Sequence, residues 1–98
     1  MPSNYARGRS AEYKTMIILK KQGYVCARSA GSHGPADIMA ASPARKRFMI
    51  QVKKGKAQPT PEEREELIAF ARAFTAIPQI WTFQKPREPP KIETLKRK

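Results

Sequence analysis

Cysteine and long apolar runs are both scarce in this chain of 98 residues. Cys26 is its single cysteine, which excludes an intramolecular disulfide and a metal site built on cysteine pairs. No stretch of about 18 apolar residues occurs, so we expect no membrane-spanning helix. Residues 1–9 are polar and charged with no apolar run behind them, unlike a signal peptide. We therefore expect a protein of the reducing cytoplasm, or of the host cytoplasm if the source is viral.

Acidic residues are scarce as well. Eight Asp and Glu stand against 20 Lys and Arg, which leaves a formal net charge of +12. So basic a chain favours a polyanionic partner, because each neutralised phosphate releases counterions. We therefore expect contact with nucleic acid. A charge that serves solubility, or a ribosome-associated protein, is the alternative.

Only two acidic residues, Glu12 and Asp37, occur within residues 1–61, beside twelve lysines and arginines. A carboxylate among phosphate-binding cations repels the phosphate, unless a metal ion takes both groups as ligands. Glu12 and Asp37 are therefore candidates for metal chemistry, although two ordinary surface acids would produce the same charge pattern.

The hydrophobic periodicity predicts an α/β fold with the order αβββαβ. Its elements are a helix from about residue 10 to 22, strands over 24–28, 37–41 and 47–53, a helix from about 60 to 74, and a strand over 79–83. This order indicates a small mixed β-sheet flanked by helices. We expect one domain over residues 1–84 and a loosely ordered, basic, proline-rich tail over 85–98, although Ile92 and Leu95 could pack.

The start of the second helix has a strong signature. Thr60 is the expected N-cap, Pro61 takes the first helical position and Glu63 completes a capping box. Four glutamates at this helix start suit the positive end of the helix dipole: Glu62, Glu63, Glu65 and Glu66. We therefore assign all four a structural role.

Two polar side chains project together from the third strand. Apolar residues alternate with polar ones along 47–53, which places Gln51 and Lys53 side by side on one face. With Asp37 opening the second strand, the pattern becomes Asp, then Gln-x-Lys. Phosphodiester hydrolysis benefits from a metal ion that orients water and from a cation near the phosphate. Asp37 would be the main metal ligand and Lys53 that cation, although this spacing also occurs by chance in many basic proteins.

Four stretches, in the same order, resemble the PD-(D/E)xK nuclease superfamily and, within it, the archaeal-type Holliday junction resolvases. They are RGRSAEY, GYVCARSAGSHGPADIMA, FMIQVKKGK and ELIAFARAFTAIPQIWTF, and the resemblance covers about residues 5–84. It implies a restriction-endonuclease-like core, which would make residues 1–84 a nuclease domain. It also implies a two-fold dimer that makes paired nicks in four-way DNA junctions with Mg²⁺ or Mn²⁺.

The resemblance further implies a role for each matching residue. Asp37 is the main metal ligand, Glu12 ligates the metal directly or through water, and Lys53 is the catalytic lysine. The implied catalytic set is Glu12, Ser32, Asp37, Gln51 and Lys53; the metal-binding set is Glu12, Asp37, Gln51 and Val52; the DNA-binding set is Arg7, Arg9, Arg28, His33, Lys54 and Lys56. Turn formation is the alternative for Ser32, and a solvated side chain is the alternative for His33.

Gln51 departs from the family pattern, in which an acid is usual. Glutamine is a variant of the wider superfamily whose amide oxygen can serve as a neutral ligand. Alternatively, it is a near-isosteric replacement of glutamate that weakens activity, because a neutral amide binds a hard cation less tightly than a carboxylate. The implied function is junction-resolving endonuclease. Another repair or restriction nuclease of this fold, and a DNA-junction-binding protein with a weak or inactive site, are the alternatives.

Large apolar side chains are concentrated in the C-terminal half. A small domain gains stability by burying such surface against a second copy, and a junction offers two symmetry-related strands to cut. We expect a homodimer through this half, with Trp81 packed in the core or the interface rather than stacked on a base. The candidate interface residues are Phe70, Phe74, Ile80, Trp81 and Phe83.

Overall fold

A computed structural model describes residues 4–29, 34–44, 46–85 and 87–96, with the backbone alone for residues 4–9. The helices within these ranges are α1 (Asn4–Lys21) and α2 (Pro61–Ala73). The strands are β1 (Val25–Arg28), β2 (Ile38–Ala41), β3 (Arg47–Lys54), β4 (Ile77–Phe83) and β5 (Lys91–Thr94). The predicted order αβββαβ is confirmed, with one additional strand at its end.

The five strands form one mixed sheet in the order β1-β2-β3-β4-β5. β1, β2 and β3 pair antiparallel, β3 and β4 pair parallel, and β4 and β5 pair antiparallel. A parallel pair needs a crossover, and α2 supplies it between β3 and β4. The predicted α/β architecture, a small mixed sheet flanked by helices, is therefore confirmed.

Two hydrophobic cores lie against the two faces of the sheet. On the α1 face, Leu19 packs with Ile50 and Trp81, and Phe48 and Val52 join this cluster from β3. On the α2 face, the cluster includes Met49, Leu67, Ala71 and Ile80. The alternation predicted along β3 is confirmed, because its apolar residues at 48, 50 and 52 face α1. Residues 51 and 53 consequently face the α2 side.

The start of α2 has the predicted capping box. The Thr60 hydroxyl accepts a hydrogen bond from the Glu63 N–H at 3.1 Å, and the Glu63 carboxylate accepts one from the Thr60 N–H at 2.8 Å. The other helix, α1, begins at Asn4, six residues before the predicted start near Ser10. In the described part of the chain, neither helix has the length and apolarity needed to cross a membrane.

The expectation of a loosely ordered tail was wrong for residues 91–95. β5 pairs with β4, and the backbone N–H of Leu95 donates to the carbonyl of Pro78 at 2.9 Å. Leu95 is buried, and an ion pair of 3.0 Å between Arg64 and Glu93 ties the strand to α2. Without β5, β4 would expose an edge of unpaired backbone groups, and covering that edge outweighs the polar composition of the segment. The boundary at residue 84 stays a prediction.

Most of the expected dimer surface lies inside the chain's own core. Ile80, Trp81 and Phe83 are all more than nine-tenths buried. Phe74 is half exposed, and its ring lies 5.0 Å from that of Phe70. The choice of Ile80 and Phe83 as candidate interface residues was wrong, because β4 is covered on both faces and along its edge. Trp81 packs in the core, which is one of the two positions predicted for it.

Candidate active site

Asp37 lies immediately before β2, where its main chain still pairs with β3. Its N–H donates to the carbonyl of Ile50 at 2.8 Å, and its own carbonyl accepts from the N–H of Ser29 at 2.8 Å. Its carboxylate accepts a further hydrogen bond, at 2.8 Å, from the N–H of Val52. Since backbone and side chain are both held, the carboxylate has one defined position beside β3.

Burial raises the pKa of the Asp37 carboxyl above its usual range. The hydrogen bond from Val52 and the positive charge of Lys53 oppose this shift, whereas the negative charge of Glu63 adds to it. A carboxylate whose ionised form is disfavoured by desolvation gains from a nearby cation. Such a group beside other polar side chains is typical of a functional site.

Gln51 and Lys53 follow on the same face of β3. Gln51 is only 9% exposed, and its side-chain oxygen Oε1 is buried without a hydrogen-bond partner. The Lys53 ammonium lies 3.8 Å from the Glu63 carboxylate and is largely buried. A buried polar atom without a partner is uncommon and calls for an explanation, such as an ion that the site accepts.

Glu63 joins this group from the first turn of α2. The Thr60 N–H and the Lys53 charge, in that order, lower the pKa of its carboxyl. The sequence assigned Glu63 to capping alone. That role is confirmed, but the same carboxylate also contacts Lys53, a candidate site residue. The order of the elements could have predicted this contact, because a crossover helix begins beside the carboxyl end of the strand that it follows.

The turn after β3 explains why α2 begins so close to the site. Gly55 has a φ of +67°, which favours glycine, and its N–H donates to the carbonyl of Phe83 at 2.9 Å. The chain therefore turns directly after Lys54, and Thr60 caps α2 six residues after Lys54. The helix start is thus held beside the end of β3, where Lys53 lies.

Glu12 and Arg28 form a separate contact between α1 and β1. The Arg28 guanidinium lies 3.5 Å from the Glu12 carboxylate and 5.3 Å from the centre of the Tyr13 ring. Both charged side chains are mostly buried. The structure thus gathers Asp37, Gln51, Lys53 and Glu63 beside the start of α2, and holds Glu12 through a basic residue on β1.

The remaining candidates lie at the margins of the site or outside the described residues. Lys54 lines a small cavity of about 110 Å³ together with Lys14 and Lys85, and Lys56 is exposed in the turn after β3. Arg7 and Arg9 lie in the first turns of α1, but only their backbone is described. Ser32 and His33 fall outside the described residues.

The donors beside β3 fit a hard divalent cation. Such ions take carboxylate and amide oxygens as ligands, and Asp37 and the partnerless Oε1 of Gln51 supply one of each. Within the described ranges, no three His, Cys, Asp or Glu side chains cluster as a metal site. The oxygen of Gln51 therefore matters, because the protein has few carboxylates to offer at this point.

Comparisons with known proteins identify relatives of the whole arrangement. The family of archaeal Holliday junction resolvases matches residues 3–96. Among solved structures, that of Hjc from Archaeoglobus fulgidus, a Holliday junction resolvase from an archaeal hyperthermophile, is similar with a TM-score of 0.77 and 30% sequence identity. The match covers 89% of this chain and 76% of that one. No curated protein sequence matches the chain significantly.

Proposed function

The chain belongs to the archaeal Holliday junction resolvase family, and we propose that it is a metal-dependent endonuclease that cuts four-way DNA junctions by paired nicks. The match over residues 3–96 carries this proposal. It is supported by the charge of Lys53, which acts on the Asp37 carboxylate beside β3. The net charge of +12 supports a DNA substrate, and processing of cellular DNA would place the protein in the cytoplasm.

In this mechanism Asp37 and Gln51 would hold Mg²⁺, Mn²⁺ could substitute for it, and Glu12 and Val52 would complete the proposed ligand set. The ion, when bound, supplies Lewis-acid activation of the attacking water. Burial raises the pKa of the Asp37 carboxyl, so a cation held beside it would favour its ionised form. The fixed Val52 N–H keeps the carboxylate oriented during this step.

Lys53 stabilises the reacting phosphate. Its ammonium lies beside Asp37 and Glu63, so it is held in place before DNA arrives. Negative charge grows on the phosphate oxygens as water attacks, and a preorganised cation there lowers the barrier. The oxygen that leaves takes its proton from solvent.

The basic residues around the site would hold the DNA backbone. Lys54 ends β3 and Lys56 lies in the turn after it, and Lys54 lines a cavity of about 110 Å³ together with Lys14 and Lys85. We propose further phosphate contacts by Arg7, Arg9, Arg28 and His33, and a role in the catalytic loop for Ser32. Phosphate contacts position the arms of the junction, and they do not depend on the base sequence.

A homodimer would present two sites to the two strands of a junction. On the α2 side of the sheet, Val25, Met39 and Phe74 are exposed and line an apolar groove of about 390 Å³. We propose that a second copy covers this groove. If the groove is the interface, sedimentation of a Phe74→Glu variant should show a monomer. An unchanged dimer would show that the interface lies elsewhere.

A second candidate, a DNA-binding protein without cleavage activity, is favoured by one observation. Gln51 replaces the usual acid, so the proposed metal site contains fewer carboxylates. Incubation with a synthetic four-way junction, with and without Mg²⁺ or Mn²⁺, separates the two. Symmetric nicks that require the metal support the resolvase, with a linear duplex of the same sequence as control. Tight junction binding without nicks under any condition supports the second candidate.

A further inference from the structure

A small cavity at one end of the sheet is lined by lysines from three different parts of the chain. Lys14 belongs to α1, Lys54 is the last residue of β3, and Lys85 follows the end of β4 by two residues. The described lining also includes Ser10 and Gln84. Only the fold brings these residues together, around a volume of about 110 Å³.

The cavity lies at the carboxyl ends of the parallel strands β3 and β4, on the side of α1. Lys54 and Phe83 end these strands and pair with each other in the register. The N–H of Gly55 donates to the carbonyl of Phe83 at 2.9 Å, which joins the two strand ends. In open α/β sheets, ligands bind outside the carboxyl ends of the strands. The position of the cavity is therefore typical of a binding site.

The cavity combines a fixed apolar wall with exposed basic residues. Ala11 and Phe83, which line it, belong to the core and are more than nine-tenths buried, whereas all three lysines are exposed. A single water molecule needs only roughly 10–15 Å³, so a larger group fits into this space. The long lysine side chains can turn their ammonium groups towards such a group.

The chemistry of the lysines selects an anion rich in oxygen. An ammonium group has three donors and no acceptor, so it binds phosphate and repels a cation. Three like charges around a small volume also repel one another, and a bound anion offsets that repulsion. Lys85 lies 3.8 Å from Glu88, but both side chains are more than half exposed, and exposed ion pairs are weak. A phosphate in the cavity can therefore compete with Glu88 for Lys85.

The cavity is separate from the position proposed for catalysis. Successive side chains of a strand point to opposite faces of the sheet. Lys53 accordingly lies beside Glu63 at the start of α2, whereas Lys54 lines the cavity together with residues of α1. Two neighbouring lysines thus serve opposite faces at the same end of β3.

A DNA strand offers a phosphate to each of these two lysines. Phosphates recur about every 3.4 Å of helix axis along one strand, and consecutive Cα atoms are about 3.8 Å apart. A strand whose reacting phosphate lies at Lys53 therefore has another phosphate within reach of Lys54. We propose that the cavity lined by Lys14, Lys54 and Lys85 binds a second phosphate of the DNA backbone, one that is not cut, and so holds the strand beside the active site. The proposal rests on the junction-cutting function proposed above.

The test combines single charge changes in the protein with single neutral linkages in the DNA. Lys14→Gln and Lys85→Gln each remove one charge from the cavity. Lys20→Gln removes one from an exposed lysine of the same helix α1 outside the cavity lining, so it is the matched control. Binding of the full-length chain is measured without divalent metal, on four-way junctions that each contain one methylphosphonate linkage.

One linkage position should reveal the contact. There the neutral linkage should weaken binding by the original protein roughly tenfold, as loss of a charge-assisted contact does. For Lys14→Gln and Lys85→Gln the same linkage should cost about threefold or less, because the contact is already lost, and Lys20→Gln should keep the full cost. The coupled position should differ from the position of cleavage. Lys14→Gln should also reduce the slope of log affinity against log salt by about one for each protomer on the DNA.

Inorganic phosphate distinguishes a DNA phosphate from a free anion. If its titration shifts the amide NMR signals of Gly55 and Gln84, but no linkage is coupled to Lys14 or Lys85, the cavity takes a free anion and the inference is overturned. Equal linkage costs in the original protein and all three variants would also overturn it, since the lysines would then contribute only diffuse charge. In both cases junction binding and cleavage by the original protein would stand. If the original protein neither prefers a four-way junction to a linear duplex nor cuts it, the proposed function itself fails, and the inference fails with it.

Discussion

Two carboxylates act on Lys53, and their surroundings shift their pKa values in opposite directions. Asp37 has a raised pKa because it is desolvated beside the sheet. Glu63 has a lowered pKa because the Thr60 N–H and then the Lys53 charge stabilise its ionised form. The comparison separates two kinds of acid. Glu63 is stabilised in its ionised form by the protein itself, whereas the Val52 N–H and the Lys53 charge do not offset the desolvation of Asp37.

The sharpest way to break this comparison is to remove the charge of Asp37. Asp37→Asn should abolish junction cleavage while junction binding stays intact or becomes tighter, because a negative charge leaves a basic surface. Single-turnover cleavage and a binding titration on the same junction measure the two effects. The exposed Glu62→Gln change is the charge-matched control. Equal cleavage by Asp37→Asn and the original protein would remove Asp37 from the proposed metal site.

The next effect concerns the lysine between the two acids. Lys53→Ala should lower the rate at saturating protein by roughly 10²-fold or more, as loss of a preorganised electrostatic group does. Lys54→Ala, one residue along β3 and exposed, should instead weaken binding and leave the saturated rate unchanged. Recovery of the full rate by Lys53→Ala at saturating protein would make Lys53 a phosphate contact.

The smallest expected effects are on the stability of the metal-free protein, where Asp37 and Glu63 should contribute with opposite signs. Asp37 has its pKa raised on folding, so its ionisation destabilises the fold increasingly as pH rises from below its ordinary pKa of 3.8 through the raised value. Asp37→Asn should therefore raise the melting temperature at neutral pH, by about 4–8 °C for each kcal/mol relieved.

Glu63 should show the opposite sign. Its pKa is lowered on folding, so its ionised form stabilises the protein above its ordinary pKa of 4.5, and that contribution is lost as pH falls through the lowered value. Glu63→Gln should lower the melting temperature slightly at neutral pH and not at strongly acid pH. The check is the melting temperature of Asp37→Asn and of Glu63→Gln, measured from acid to neutral pH. Changes of the same sign would show that the two environments do not differ as described.

Local signals in the sequence were sufficient where neighbouring residues decide the structure. The capping box of Thr60 and Glu63 needs only four consecutive residues, and it is present as predicted. The alternation around Ile50 needs only a period of two, so the shared face of Gln51 and Lys53 was predictable as well. The family resemblance, carried by short stretches, is also confirmed.

Sequence patterns gave the wrong prediction where the conformation or burial of a segment depends on residues distant in the chain. The residues of β5 read as a charged tail, and their strand conformation comes from pairing with β4. Ile80 and Trp81 read as surplus apolar surface, yet β5 and the two helices leave them more than nine-tenths buried. The sequence pattern alone shows neither that β4 has an edge to be covered nor which elements pack on its faces.

The sequence by itself determined the basic charge, the elements with strong periodicity, the helix start at Thr60 and the family. The tertiary structure decided which polar groups meet. Lys53 and Glu63 are ten positions apart, and only the crossover of α2 brings the ammonium within 3.8 Å of the carboxylate. Contacts of this kind follow from how a helix packs over a sheet, and a pattern read along one chain contains no distance between its elements.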